Sequence, residues 1–371
     1  MLSRHTLRKI LLMLICFFLS KFVKQDNLIL ISSKHGYVGN AAAFANQFQQ
    51  RAPEDYELIW MGNQRHRPSS IRSSAGRGLM EEARLLCRAS YALYTHTPGD
   101  VSLFLPRQII RINLWHGNPI KYILDDTPKK KSAYKKRKLA WLNQDPKASD
   151  YFFSGGPRFD QIMCSCTGFP KDRILSEGLP RNEVFYQAIG NALAEPGFCL
   201  YAPTFRDKMT QEDRIEALCR KWQGAFQDLA LKLVVKLHPN DRTNLDFTRQ
   251  FNWVEIADNK EDINRLAMES SMLITDYSSL AFDYMILKKP VYLLMDDIAN
   301  YQIQRGGTYV SPEELAQIFD CVETVDLLVE RILRSHSVIF DDTEEEYNRR
   351  FDMDRFLTQC LPALRPGQTA D

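Results

Sequence analysis

Short runs of consecutive apolar residues recur along most of this chain, each closed by a polar turn and followed by residues at helical spacing. Leu28–Ser32 is the first such run, with a helix predicted over Asn40–Gln50. Tyr56–Trp60, Tyr91–Thr95, Ile109–Trp115 and Asp150–Ser154 repeat the strand pattern, with a helix over Met80–Ala89 between them. A turn-rich stretch at Gly178–Asn182 and a linker at 187–197 interrupt it. The pattern then restarts with strands at Phe198–Ala202, Leu231–Leu237, Val254–Ile256, Met272–Ile274 and Val291–Leu294. Helices are predicted over Glu212–Leu229, from Asp262, and from Leu280 towards Pro290. Continuous apolar runs suit parallel strands buried on both faces, and their alternation with helices predicts parallel sheets joined by right-handed crossovers. Further helices are predicted at Glu313–Phe319, Val325–Ser335 and Glu344–Cys360, the last returning to the first domain, before a loose tail from Pro362.

The first 24 residues break the pattern. Arg4, His5, Arg8 and Lys9 precede an apolar run from Ile10 to Leu19, which Lys21 and Lys24 close. A bilayer span needs about 20 apolar residues, and no small-x-small cleavage signal follows. A basic-flanked helix lying in the membrane interface fits better, its cations meeting anionic head groups. The domain layout is then an anchor at 1–24, a first βαβ domain at 25–186 and a second at 187–371.

Composition narrows the class. At 371 residues the chain has room for two cores. A net charge of +2 argues against a dedicated nucleic-acid binder, and no nucleic-acid partner is expected. The eight cysteines are scattered, and Cys164-Ser-Cys166 lacks zinc-knuckle spacing, so buried free thiols are expected. The seven histidines share no short spacing, so no metal site is predicted. Between Lys129 and Lys138 seven of ten residues are basic. Such a run is usually a solvated helix face. With Lys121, the lysines Lys129, Lys130, Lys131, Lys135 and Lys136 could equally meet an acceptor phosphate or a lipid surface.

Candidate chemistry gathers where strands end. In βαβ folds ligands bind at the carboxyl ends of strands, against helix N-termini. His116 follows the Ile109–Trp115 strand in a Gly-Asn-Pro turn, where a neutral imidazole can take a proton from an attacking hydroxyl. A hydrogen-bonded structural histidine is the plain alternative. His238 repeats the arrangement before Pro239. Arg206, after Phe198–Ala202, is placed to clamp a phosphate or to pair with Asp207. Ser278 and Ser279, after Leu273-Ile274-Thr275-Asp276-Tyr277, offer hydroxyls and helix-start N–H groups to an anion; capping is the ordinary role of such residues.

Five motifs occur in one order: Trp115-His-Gly-Asn-Pro-Ile-Lys121, Gly178-Leu-Pro-Arg-Asn182, Tyr201-Ala-Pro-Thr-Phe-Arg206, Lys236-Leu-His-Pro239 and Leu273-Ile-Thr-Asp-Tyr-Ser-Ser-Leu-Ala-Phe-Asp283. Together, over roughly residues 110–300, they resemble the CDP-glycerol glycerophosphotransferase family, the TagB/TagF-type enzymes of teichoic acid synthesis. The resemblance implies a GT-B-like α/β fold of two Rossmann-like domains facing a cleft. It implies transfer of glycerol phosphate from CDP-glycerol to a hydroxyl of a lipid-linked glycan or polyol-phosphate acceptor, at the cytoplasmic face of the cell membrane, releasing CMP. On it, His116 would be the general base. His238, Arg206, Ser278 and Ser279 would hold the donor pyrophosphate, with Thr275, Asp276, Arg181 and Asn182 on the donor side. Glu183 and Asn118 depart from the family's usual residues. No cofactor is implied beyond a possible Mg²⁺ on the pyrophosphate. CDP-ribitol or a nucleotide sugar would use the same cradle, and a non-catalytic nucleotide-binding scaffold is a third reading. Retention of His116, Arg206 and His238 argues against the scaffold.

Overall fold

The computed structural model describes residues 4–51, 53–74, 78–127, 139, 141, 143–189, 197–204, 212–238, 241, 243–258, 261–334 and 344–364. Its contacts divide the chain into two compact units. One comprises Met1–Gly117, Lys129–Glu183 and Arg349–Asp371; the other comprises Asn118–Pro128 and Val184–Asn348.

The first unit is built on a parallel sheet of β1 (Leu28–Ser32), β2 (Glu57–Trp60), β3 (Ala89–Tyr94), β4 (Ile110–Asn113), β5 (Tyr151–Phe153) and β6 (Ile174–Leu175), in the order β2-β1-β3-β4-β5-β6. The order reverses direction between β1 and β3. Every residue of β1 and of β3 is buried, which is why these strands read as unbroken apolar runs. One face packs Phe44, Trp60, Tyr91 and Phe153 against Phe351, Met353, Phe356, Leu357 and Leu361. That cluster explains why the C-terminal segment belongs to this unit. Tyr56 and Tyr91 tie it down by donating their hydroxyls to the carbonyls of Leu357 and Leu361, at 3.1 and 3.0 Å.

The helix predicted as continuous over Glu344–Cys360 is broken. Glu344–Tyr347 is one turn, and helical winding resumes only at Met353. Asn348 is buried and donates its amide to the Phe282 carbonyl, while the Arg349 N–H goes to the Gly155 carbonyl at 2.7 Å. Asp352 then caps the next turn through the Arg355 N–H. Backbone groups spent on tertiary partners cannot continue a helical ladder.

The N-terminal helix, Arg4–Leu19, packs on the other face of the first sheet. Leu12 and Cys16 are buried in a cluster with Leu30, Ile59, Leu86 and Tyr94, and buried Lys9 places its ammonium 4.5 Å from the Trp141 ring centre. Leu7, Leu11, Leu14 and Phe18 share the roughly opposite stripe and are exposed. Among the described residues no helix is long and apolar enough to cross a membrane.

The second unit carries β7 (Cys199–Tyr201), β8 (Leu233–Val235), β9 (Val254–Ile256), β10 (Met272–Thr275), β11 (Val291–Leu294) and β12 (Asp320–Val322), all parallel, in the order β12-β11-β10-β7-β8-β9. Two crossover runs diverge from the β7–β10 pair, so the crevice expected at a switch of winding lies beside the ends of these strands. Trp222, Leu218 and Ile215 of the Glu212–Leu229 helix fill the core beneath.

Candidate functional site

Two groups of residues stand at strand ends, one in each unit. In the first unit the neighbouring strands β1, β3 and β4 each release a histidine just beyond their carboxyl ends: His35, His96 and His116. The turn that presents His116 is strained. Trp115 has φ 55°, a left-handed value that costs a large aromatic residue roughly 1–3 kcal/mol, and Gly117 follows at φ 149°. The surroundings hold that turn in place. Asn40 is fully buried; its Nδ2 donates to the carbonyls of Leu114 and Trp115 at 2.9 and 3.0 Å, and its Oδ1 accepts the Arg181 N–H at 3.2 Å. Arg181 Nη1 in turn donates to the His116 carbonyl at 2.9 Å. Asn113 Oδ1 accepts the Trp115 N–H at 2.9 Å.

The His116 side chain is exposed, and its Nδ1 lies 3.2 Å from the Thr95 carbonyl. A carbonyl only accepts, so Nδ1 carries the proton and Nε2 is the acceptor nitrogen of the neutral ring. This is the tautomer a general base needs. Beside it, burial depresses the His96 pKa to about 3, helped by the charges of His116, His35 and Lys34. Burial also lowers that of His35, with Lys34 adding to the effect. Asp100 is pushed up to about 6 by burial, against the hydrogen bonds it accepts from the His96 and Thr97 N–H groups.

In the second unit β7, β8 and β10 end side by side. His238 is exposed beyond β8, its carbonyl accepting the Asp241 N–H at 2.8 Å. Beyond β10, Thr275 is fully buried and donates its hydroxyl to the Ala202 carbonyl at 2.6 Å. Asp276 is 1% exposed; it accepts the N–H groups of Thr204 and Tyr277 at 2.9 and 2.7 Å and pairs with Arg214 at 3.2 Å. These two side chains staple the ends of β7 and β10 together. Tyr277 stacks on Tyr301, ring centres 4.0 Å apart, and donates its hydroxyl to Asp297 at 3.1 Å. Ser278 and Ser279 are half-buried at the crevice. Ser278 Oγ accepts the Leu280 N–H at 3.3 Å, while Ser279 makes no side-chain cap. The helix they begin, Leu280–Met285, has only six residues, which limits any macrodipole at its start.

Sequence reasoning placed Arg181 and Asn182 on the donor side. The structure engages Arg181 with the His116 carbonyl and buries Asn182 in the same unit. Arg206 and the lysines Lys129, Lys130, Lys131, Lys135 and Lys136 lie outside the described residues. Lys121 is exposed, on a segment whose backbone bridges to Thr308. Asn118 is buried and donates its amide to the Tyr347 carbonyl at 3.3 Å. Asn40, His96 and Asp100 were not singled out from the sequence. For His96 a signal existed, since it follows its strand just as His116 and His238 follow theirs. Among the described residues no group of three or more His, Cys, Asp or Glu side chains is placed to hold a metal ion.

Comparison with known proteins gives the family. The CDP-Glycerol:Poly(glycerophosphate) glycerophosphotransferase family model matches residues 13–358. A teichoic acid poly(glycerol phosphate) polymerase of Bacillus spizizenii is 24% identical over 356 residues, covering 88% of this chain and 88% of its own. The enzyme of the same description from Staphylococcus epidermidis is 24% identical over 317 residues, covering 78% of this chain; the match spans 43% of the relative's length. The solved structure of the wall teichoic acid polymerase TagF superposes with a TM-score of 0.64 at 22% identity, covering 93% of this chain and 89% of that one. At that identity the superposition establishes the α/β fold.

Proposed function

This chain belongs to the CDP-glycerol:poly(glycerophosphate) glycerophosphotransferase family, and from that premise we propose that it transfers glycerol phosphate from CDP-glycerol to a hydroxyl of a lipid-linked glycan or polyol-phosphate acceptor. The acceptor oxygen attacks the phosphorus that carries glycerol. Its bond to the CMP oxygen breaks, CMP leaves, and the hydroxyl proton passes to His116 Nε2. The observation that carries the reading is the His116 turn: an exposed imidazole whose Nδ1 is fixed on the Thr95 carbonyl at 3.2 Å, on a backbone held by Asn40 and Arg181. On this reading Arg181 serves the base, through the carbonyl of His116.

Donor binding is assigned to the second unit. Negative charge gathers on the departing phosphate, so donors aimed at it lower the barrier. His238, Ser278 and Ser279 come from two strand ends beside β7, at the switch of winding where a nucleotide is expected. Arg206 would add a cation from the β7 loop. Thr275 and Asp276 build the wall of this crevice from behind.

The N-terminal helix is proposed as the membrane-associating element at the cytoplasmic face of the cell membrane. Leu14, Phe17 and Phe18 are 53%, 62% and 60% exposed, and Phe22 beyond the helix is 84% exposed. Arg4, His5, Lys21 and Lys24 flank them. Such a surface fits an anionic lipid interface.

The test incubates the full chain with CDP-glycerol, CDP-ribitol or UDP-glucose in turn, with a lipid-linked glycan mixture, and measures nucleotide release. CMP from CDP-glycerol, reduced about 10²- to 10⁴-fold in His116→Ala, is the expected result. CMP from CDP-ribitol instead would change the polyol and keep the chemistry. UDP release would overturn the phosphotransferase reading.

A further inference from the structure

Three histidines from three adjacent strands touch in series. The His96 and His116 rings lie 4.7 Å apart, centre to centre, and within 5° of parallel. His35 meets the far partner edge-on, its ring centre 5.1 Å from that of His96 at 79°. One residue registers the stacked pair. Thr95 accepts the His116 Nδ1–H on its carbonyl at 3.2 Å and lies 2.9 Å from His96 Nδ1 through its hydroxyl. That hydroxyl donates to Ser33 Oγ at 3.1 Å, so it accepts from His96 Nδ1–H. The backbone on either side of His96 is pinned as well. Its N–H goes to Asp100 Oδ2 at 3.0 Å, and its carbonyl takes Asn113 Nδ2–H at 3.1 Å.

We infer that His96 is a positioning residue for the reaction: its flat face fixes the plane of the His116 ring, so that Nε2 meets the acceptor hydroxyl at one angle. The inference rests on the reading of His116 as the base. Rotation about χ2 is otherwise soft for an imidazole, and the Trp115 ring, whose centre lies 4.3 Å from that of His116, is tilted by 34° and does not lie flat on it. A stacked partner limits that freedom, and misplacement of a reacting group by about 1 Å can slow a reaction on the order of 10²-fold. Burial keeps His96 neutral across the physiological range. When His116 takes the proton, the imidazolium therefore lies against a neutral π face instead of a second cation. His96 exchanges no proton in this scheme and touches no substrate.

The test compares His96→Phe, His96→Leu, His96→Ala and His116→Ala in the full chain, reading kcat, KM for CDP-glycerol, thermal midpoint and the rate at which diethyl pyrocarbonate modifies the residue-116 imidazole. Phe keeps a flat ring without nitrogens; Leu fills similar space without a ring. Stacking predicts that Leu and Ala lower kcat about tenfold at unchanged KM, and that Phe recovers the rate to within about threefold. Modification of His116 should be several-fold faster in His96→Leu than in His96→Phe. If Phe is as slow as Leu, His96 acts through its nitrogens and the stacking inference is overturned. If all three His96 variants match the wild-type rate while His116→Ala is inactive, the inference falls and the base reading stands. If His116→Ala keeps its rate, the base reading falls, and the modification rates still decide whether the stack orders the ring.

Discussion

Around His116, amides and carbonyls fix geometry while buried ionisable groups set charge. Asp100 is the group whose charge is costly. Its side chain is 5% exposed, and its pKa rises from an ordinary 3.8 to about 6, chiefly through burial. The folded state therefore binds this proton more tightly than the unfolded state does. Stability falls as pH rises through that window, and above about pH 6 the ionised group is a full burden on folding. Asp100→Asn removes the burden and leaves an oxygen able to accept from the His96 N–H. The variant is expected to be more stable than wild type by about 1–2 kcal/mol at pH 7.5, with the gain vanishing towards pH 4. Denaturant titrations at the two pH values check this; an equal difference at both would show that Asp100 is not the titrating group. The same residue scale shows what a sequence hides. Asn40 reads as a helix-start residue, yet its three described side-chain hydrogen bonds all reach residues more than 70 positions away. No local spacing encodes such a role. His96, by contrast, could have been found by the strand-end position that singled out His116 and His238.

At the scale of elements, apolar runs located strands wherever both faces are buried, as in β1, β3 and β10. Two short strands at sheet edges, β6 and β12, escaped; neither is buried along its whole length, and β12 opens on Asp320, so neither stands out as an apolar run. The Pro157–Thr167 helix escaped too, although Pro at its start and Gly168 at φ 72° after its end mark both ends. The broken C-terminal helix was misread because its interruption answers distant partners. Its return path depends on one glycine. Gly178 has φ 82°, and a Cβ there would sit 1.9 Å from the Arg349 carbonyl oxygen and 3.1 Å from the Phe351 nitrogen. Gly178→Ala must displace the backbone of the returning segment, and a loss of about 3 kcal/mol or more is expected. A urea midpoint close to wild type would mean that this segment packs differently.

At the scale of the molecule, the N-terminal helix has two apolar faces with different duties. Leu12 and Cys16 complete the core of the first unit, whereas Leu14, Phe17 and Phe18 are open to solvent. Replacing Phe17 and Phe18 together by Asp is expected to abolish co-sedimentation with vesicles containing phosphatidylglycerol while shifting the thermal midpoint by less than about 2 °C. Leu12→Asp should instead lower the midpoint steeply, because it buries an unpaired carboxylate. Retained sedimentation in the double variant would move the lipid-binding surface elsewhere. This division of labour bears on how the protein can be handled. Clipping the N-terminal helix would uncover Leu30, Ile59 and Leu86, which share a core cluster with Leu12, and leave apolar core surface open to aggregation. If the outer stripe is the membrane-associating surface proposed above, repainting it with charge, with the inner one left alone, is the route to a preparation free of detergent.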